Sequence, residues 1–153
     1  MRIDYHRHAL VQQAMSGMRL RADDLGLEPA LYELVKVRAS QINGCAHCLE
    51  MHTKDAVALG ESQDRLHLVS VWQEAPCFSE RERAALEWTE ELTRLADTGA
   101  RDEVYERARA VFGEDELVGL TVAIVAINSW NRFAVGFRSE VGNYVSKYEP
   151  ART

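Results

Sequence analysis

Cys45, Cys48 and His52 stand three and four residues apart in the stretch Asn43-Gly44-Cys45-Ala46-His47-Cys48-Leu49-Glu50-Met51-His52. On a helix those spacings share one face, so the three side chains lie within reach of one another. Two of the three cysteines and two of the five histidines fall here, which concentrates the reactive groups in one place. The first turn of a helix also favours negative charge, because its backbone N–H groups are unpaired and the dipole points its positive end there. A thiol of ordinary pKa about 8.5 can drop to roughly 3.5–7.5 in such a setting. The stretch therefore offers a dithiol that forms thiolate near neutral pH, with an imidazole base one turn beyond Cys48. That is the chemistry of thiol redox.

A Cys-x-x-Cys also serves haem attachment, thioredoxin-type exchange and zinc. Haem attachment places histidine directly after the second cysteine, and Leu49 stands there. A thioredoxin-type site follows a strand in an α/β unit, and no such unit is visible. Structural zinc takes four ligands, commonly as two pairs from separate elements. No second Cys/His cluster follows, so zinc would need Glu33 or His47 to complete its shell. No metal or cofactor is expected. Cys77, between Pro76 and Phe78, reads as a small buried hydrophobe, and His6 and His8 as solvated or cap-like residues. Glu33, with Lys36 and Ser40 on the same helix, reads by spacing alone as a solvated carboxylate.

The elements that would position this stretch are helical. Leu10, Ala14, Met18 and Leu20 give a first helix over residues 6–22. Glu28-Pro29 opens a second, through Leu31, Leu34, Val35, Arg38 and Ile42, with Gly44 as its stop. A third starts around the cysteines and closes at Gly60. Ser62 caps a fourth, through Leu66, Val69 and Gln73, which Pro76 ends. Ser79-Glu80-Arg81-Glu82 is a capping box, followed by the apolar stripe Ala85, Trp88, Leu92, Leu95. Val104, Ala108 and Val111 mark a further helix. The last, from about Glu114 to Phe137, is apolar all round in its first half and needs cover on every side. The expectation is one all-α domain over residues 1–153, without strand alternation or a phosphate-binding glycine loop.

Composition narrows the function classes. A net charge of −6 leaves no basic face for nucleic acid. The apolar run Leu117–Ile127 is shorter than the roughly 18 residues of a membrane span. Met1–His8 lacks the apolar segment of a signal peptide. A cytoplasmic protein is expected, and in a reducing compartment close cysteines point to catalysis more than to a structural staple.

Glu33, eleven intervening residues, then Cys45-Ala46-His47-Cys48 and three more before His52 resembles the alkylhydroperoxidase D core of the carboxymuconolactone decarboxylase superfamily. The match covers roughly residues 28–60. Asn128-Ser129-Trp130-Asn131-Arg132 is similar, more loosely, to the tail of the short single-copy members. The resemblance implies an all-helical trimer or hexamer in which Cys48 attacks the peroxide and becomes a sulfenic acid. By the same analogy Cys45 resolves it to a disulfide, His52 and Glu33 relay the proton from Cys48 through water, and His47 shapes the site. The helix dipole alone favours Cys45 as the thiolate, whereas the one-turn spacing to His52 favours Cys48. Decarboxylase members generally lack the cysteine pair, so its presence argues against lactone decarboxylation. The implied partners are a peroxide and a thiol or lipoyl-type reductant. The alternatives are a protein-disulfide redox protein and a metal-binding or structural oligomer.

Overall fold

Helix follows helix through residues 1–148, which the computed structural model describes: α1 (Ala9–Met15), α2 (Pro29–Ile42), α3 (Ala46–Ala58), α4 (Gln63–Leu68), α5 (Glu80–Thr93), α6 (Leu95–Thr98), α7 (Asp102–Val111) and α8 (Glu114–Phe137). No strand occurs among the described residues. Pro29 at the first position of α2 lacks the N–H that would be orphaned there, and extended Glu28 precedes it. Ten residues of α2 are buried, from Leu31 to Ser40, because α3, α5 and α8 all pack on it.

Two apolar clusters flank this central helix. Leu31, Val35, Ala85, Trp88, Val104 and Ile124 tie α2 to α5, α7 and α8. Leu34, Val37, Leu66, Trp72, Phe78 and Leu86 fill the space beneath the α4 region. The capping box at α5 forms as its sequence predicts: Glu82 N–H donates to Ser79 Oγ at 3.2 Å, and Ser79 N–H to Glu82 Oε2 at 2.7 Å. α8 is long and apolar enough to cross a membrane by those two measures, yet half of that window is buried inside the fold. It can approach closely because Gly119 lies against the 3-10 turn Asp23–Leu25, where a Cβ would overlap the carbonyl oxygen of Leu25.

Three segments depart from the periodicity. The expected helix over residues 6–22 shortens to α1 and gives way to a 3-10 turn at Ser16–Met18. Leu10 is 67% exposed, so no core anchors the pattern, and Gly17 costs a helix about 1 kcal/mol relative to alanine. The fourth helix stops at Leu68 and tightens to 3-10 over Val69–Val71, where two β-branched residues weaken α-helix. α5 ends at Thr93, so Leu95 begins the short α6 and is 53% exposed, off the apolar stripe.

Candidate active site

Gly44 takes φ +62° between α2 and α3, a conformation that suits glycine. This turn delivers Cys45 as the N-cap of α3, where its Sγ accepts the Cys48 N–H at 3.2 Å. The turn is fastened from the far side of the fold. Asn43 Nδ2 donates to Asn128 Oδ1 and Asn131 Oδ1, each at 2.9 Å, and Asn131 Nδ2 donates to Ser40 Oγ at 3.2 Å. α8 thus holds the α2–α3 corner through two buried amides.

Cys45 and Cys48 are joined as a disulfide, their Cα atoms 5.4 Å apart, a normal span for such a bond. Both are buried, at 2% and 4% exposure, and both pack in a small cluster with Ala39, Ile127 and Ala134. Cys48 also lines a cavity of about 490 Å³, which Cys45 does not. His47, His52, Tyr32, Lys36 and Trp130 share that lining with Cys48.

Behind the cavity lies Glu33, which spacing alone reads as solvated and which is 0% exposed. The difference is tertiary: α3 crosses the face of α2 that carries it. His52 Nδ1 and Glu33 Oε2 are 2.8 Å apart, and Lys36 Nζ donates to Glu33 Oε1 at 2.7 Å. Burial disfavours the Glu33 carboxylate, yet the hydrogen bond from His52 and the Lys36 charge outweigh it and hold its carboxyl below the ordinary value. The Nδ1 atom of His52 is then the donor, which leaves Nε2 as the basic nitrogen. Burial also pushes the His52 pKa below its usual value, against the opposing pull of Glu33. The ring is neutral near pH 7, as a base must be. Burial brings Lys36 down to about 8, its cation 3.7 Å from the centre of the Tyr32 ring.

Asp55 extends this network by one turn of α3, and the C-terminal segment closes it. Tyr144 OH donates to Asp55 Oδ1 at 2.9 Å and Ser146 Oγ to the same oxygen at 2.7 Å. Lys147 Nζ lies 3.6 Å from Asp55 Oδ2 and 3.8 Å from Glu33 Oε1. Residues 139–148 form a strap along α3. His47 Nδ1 meets the Glu140 carbonyl at 2.7 Å, Gly142 N–H donates to Glu50 Oε2 at 2.7 Å, and Lys54 Nζ donates to the Tyr144 carbonyl at 2.8 Å. Glu33, His52 and Asp55 each offer a ligand atom within 4.8 Å of the others. Two ammonium groups, Lys36 and Lys147, already balance these carboxylates, which is a poor setting for a further cation.

The five residues singled out in sequence, Glu33, Cys45, His47, Cys48 and His52, therefore converge on one corner of the molecule. Asp55, Lys36 and Lys147 join them without a sequence signal of their own, apart from the helical spacing of Asp55 from Cys48 and of Lys36 from Glu33. Cys77 departs from expectation: it is exposed, because Phe78 beside it takes the buried place at this loop.

Residues 9–91 match the model of the carboxymuconolactone decarboxylase family. The uncharacterized protein YdfG of Bacillus subtilis is 43% identical over 103 residues, which span 67% of this chain and 70% of that protein. The crystal structure of ATU0492 from Agrobacterium tumefaciens, a protein of unknown function proposed to be the antioxidant defence protein AhpD, superposes with a TM-score of 0.87. It shares 44% identity and covers 94% of this chain and 99% of its own. An uncharacterized peroxidase-related protein from Silicibacter sp. TM1040, at 21% identity and TM-score 0.76 over 91% of this chain and 74% of its own, shares the fold.

Proposed function

The chain belongs to the carboxymuconolactone decarboxylase family, in its alkylhydroperoxidase D-like branch, and we propose that it acts there as a thiol-dependent peroxidase. The observation that carries this reading is the unequal exposure of the two thiols to the cavity: Cys48 opens onto it beside His52, and Cys45 does not. In the reduced protein His52 Nε2, through water, takes the Cys48 proton, while Glu33 fixes the ring in the tautomer that leaves this nitrogen free. The Cys48 thiolate attacks one peroxide oxygen. An S–O bond forms, the O–O bond breaks, and the leaving alkoxide takes the proton held on His52. Sulfur loses two electrons and the peroxide becomes an alcohol. The Cys45 thiol then condenses with the Cys48 sulfenic acid, releasing water and forming the disulfide. A dithiol or lipoyl-type reductant returns both thiols. His47 borders the cavity and shapes it. The working unit is a homo-oligomer, trimer or hexamer, which the exposed apolar residues Val118 and Val125 on α8 support.

Trapping of the intermediate tests the assignment. Peroxide-treated Cys45→Ser is expected to carry one dimedone adduct per chain, on Cys48, and not to turn over. Cys48→Ser is expected to lose peroxide consumption. An adduct on Cys45 alone would reverse the roles, and reduced protein whose thiols survive peroxide unchanged would sink the reading.

A further inference from the structure

Hydrogen peroxide needs no cavity of about 490 Å³, a volume within the range of small organic ligands. Its lining divides by chemistry. Met18, Leu20, Met51, Ile127 and Trp130 supply an apolar and aromatic wall. The charged residues of the lining are Arg19, Arg21, Lys36 and Lys147, and among the described residues no carboxylate lines the space. In a chain of net charge −6 this is a local reversal of sign.

The four cations are not equivalent. Lys36 and Lys147 are matched by Glu33 and Asp55. Arg21 has a loose exposed partner in Asp23 at 3.6 Å, a pairing of little strength. Arg19 is in no ion pair among the described residues; its guanidinium donates to the neutral amide oxygen of Gln12 and lies over the Trp130 ring at 5.6 Å. Cys48 and His52 are buried, whereas Arg19 and Arg21 are exposed, so the cavity has a reactive buried end and a cationic mouth.

We propose that this cavity takes organic hydroperoxides bearing a carboxylate, the peroxide placed at Cys48, the apolar body along Trp130 and Met51, and the carboxylate at Arg19 and Arg21. The proposal rests on the peroxidase reading above and names its substrate class. The covalent step is unchanged, since the carboxylate stays remote from the bond that breaks. Arginine suits the task because its planar fork pairs with a carboxylate through two hydrogen bonds.

The matched probes are a para-carboxylated cumene hydroperoxide and its methyl ester, assayed with the intact reduced protein and a small dithiol. The carboxylate is expected to show a KM at least about tenfold lower, the effect of one charge-assisted hydrogen bond. That advantage should shrink as salt rises from 20 to 500 mM, because the mouth is exposed. Arg19→Gln is expected to raise the KM for the carboxylate about tenfold with less change in kcat. Equal kcat/KM for acid and ester, both insensitive to salt, would overturn the substrate class and leave the peroxidase standing. If neither hydroperoxide is consumed, the peroxidase reading falls. Calorimetry with 4-isopropylbenzoate and its methyl ester then decides the cavity separately: preferential binding of the acid, lost in Arg19→Gln, supports the cationic mouth, and equal or absent binding overturns it.

Discussion

The placing of His52 beside Cys48 is legible from their spacing, but the carboxylate that holds its ring is not. A carboxylate on a helix with lysine and serine neighbours has the pattern of a solvated face, and only the family resemblance brought Glu33 forward. What buries it is the crossing of α3 over α2, a contact between residues 19 positions apart. Lys36, Asp55 and Lys147 escaped for the same reason: a single charge carries no mark of the charge it will meet. The network makes a definite pH prediction. His52 has its pKa lowered by burial, so the base is intact above that depressed value and is lost as pH falls through it. Between pH 6.5 and 8 the rate of Cys48 oxidation, followed by stopped-flow tryptophan fluorescence, is expected to be nearly flat. In His52→Ala it should be lower by about 10²–10⁴-fold and climb with pH toward the ordinary thiol value. A wild-type rate that rises tenfold per pH unit across this window would show that no internal base acts. Glu33→Gln is expected to fall between the two, because the amide can still orient the ring but cannot stabilise its positive charge.

Most helices were readable because their periodicity coincides with a core. α2, α3, α7 and α8 begin and end close to where the sequence places them, and α5 begins at its capping box. The first helix fails for a tertiary reason: where no apolar partner waits, as at Leu10, pattern alone does not sustain a helix. The close approach of α8 to the turn at Leu25 has no sequence signature beyond a glycine. Gly119→Ala is expected to cost about 1–3 kcal/mol, since backbone rather than a mobile side-chain tip must give way. Urea unfolding measures it, and a wild-type midpoint would mean that the turn shifts freely. The strap over α3 is built from polar contacts rather than periodic ones, so nothing in the local pattern of residues 139–148 foretells it. Asp55→Asn removes the charge that receives Tyr144, Ser146 and Lys147. Amide exchange in the strap should then quicken several-fold while α8 remains protected. Unchanged exchange would show that Glu50 and Lys54 suffice to hold it.

For the molecule as a whole, the all-round apolar character of α8 is partly answered within one chain. Leu120, Ala123, Ile124 and Ile127 are buried, whereas Val118 is 59% and Val125 48% exposed. A second copy of the chain covering that face is expected, and sedimentation at micromolar concentration should find a species several times 17.3 kDa. Val118→Lys with Val125→Lys should dissociate it, and a wild-type protein that sediments as a stable monomer would refute the expectation. The segments that flank residues 9–91 bear on the site as well. Arg2 N–H donates to the Phe137 carbonyl at 2.6 Å, and Tyr5 OH and Ser139 Oγ are 3.1 Å apart. His6 and Lys147 both line the cavity that Cys48 enters. The span that advertises the family, residues 9–91, therefore contains every proposed catalytic residue and still lacks part of the vessel in which they work. Trimming the protein to that span would remove Asn128 and Asn131 from the corner, Trp130 from the wall and Lys147 from Glu33.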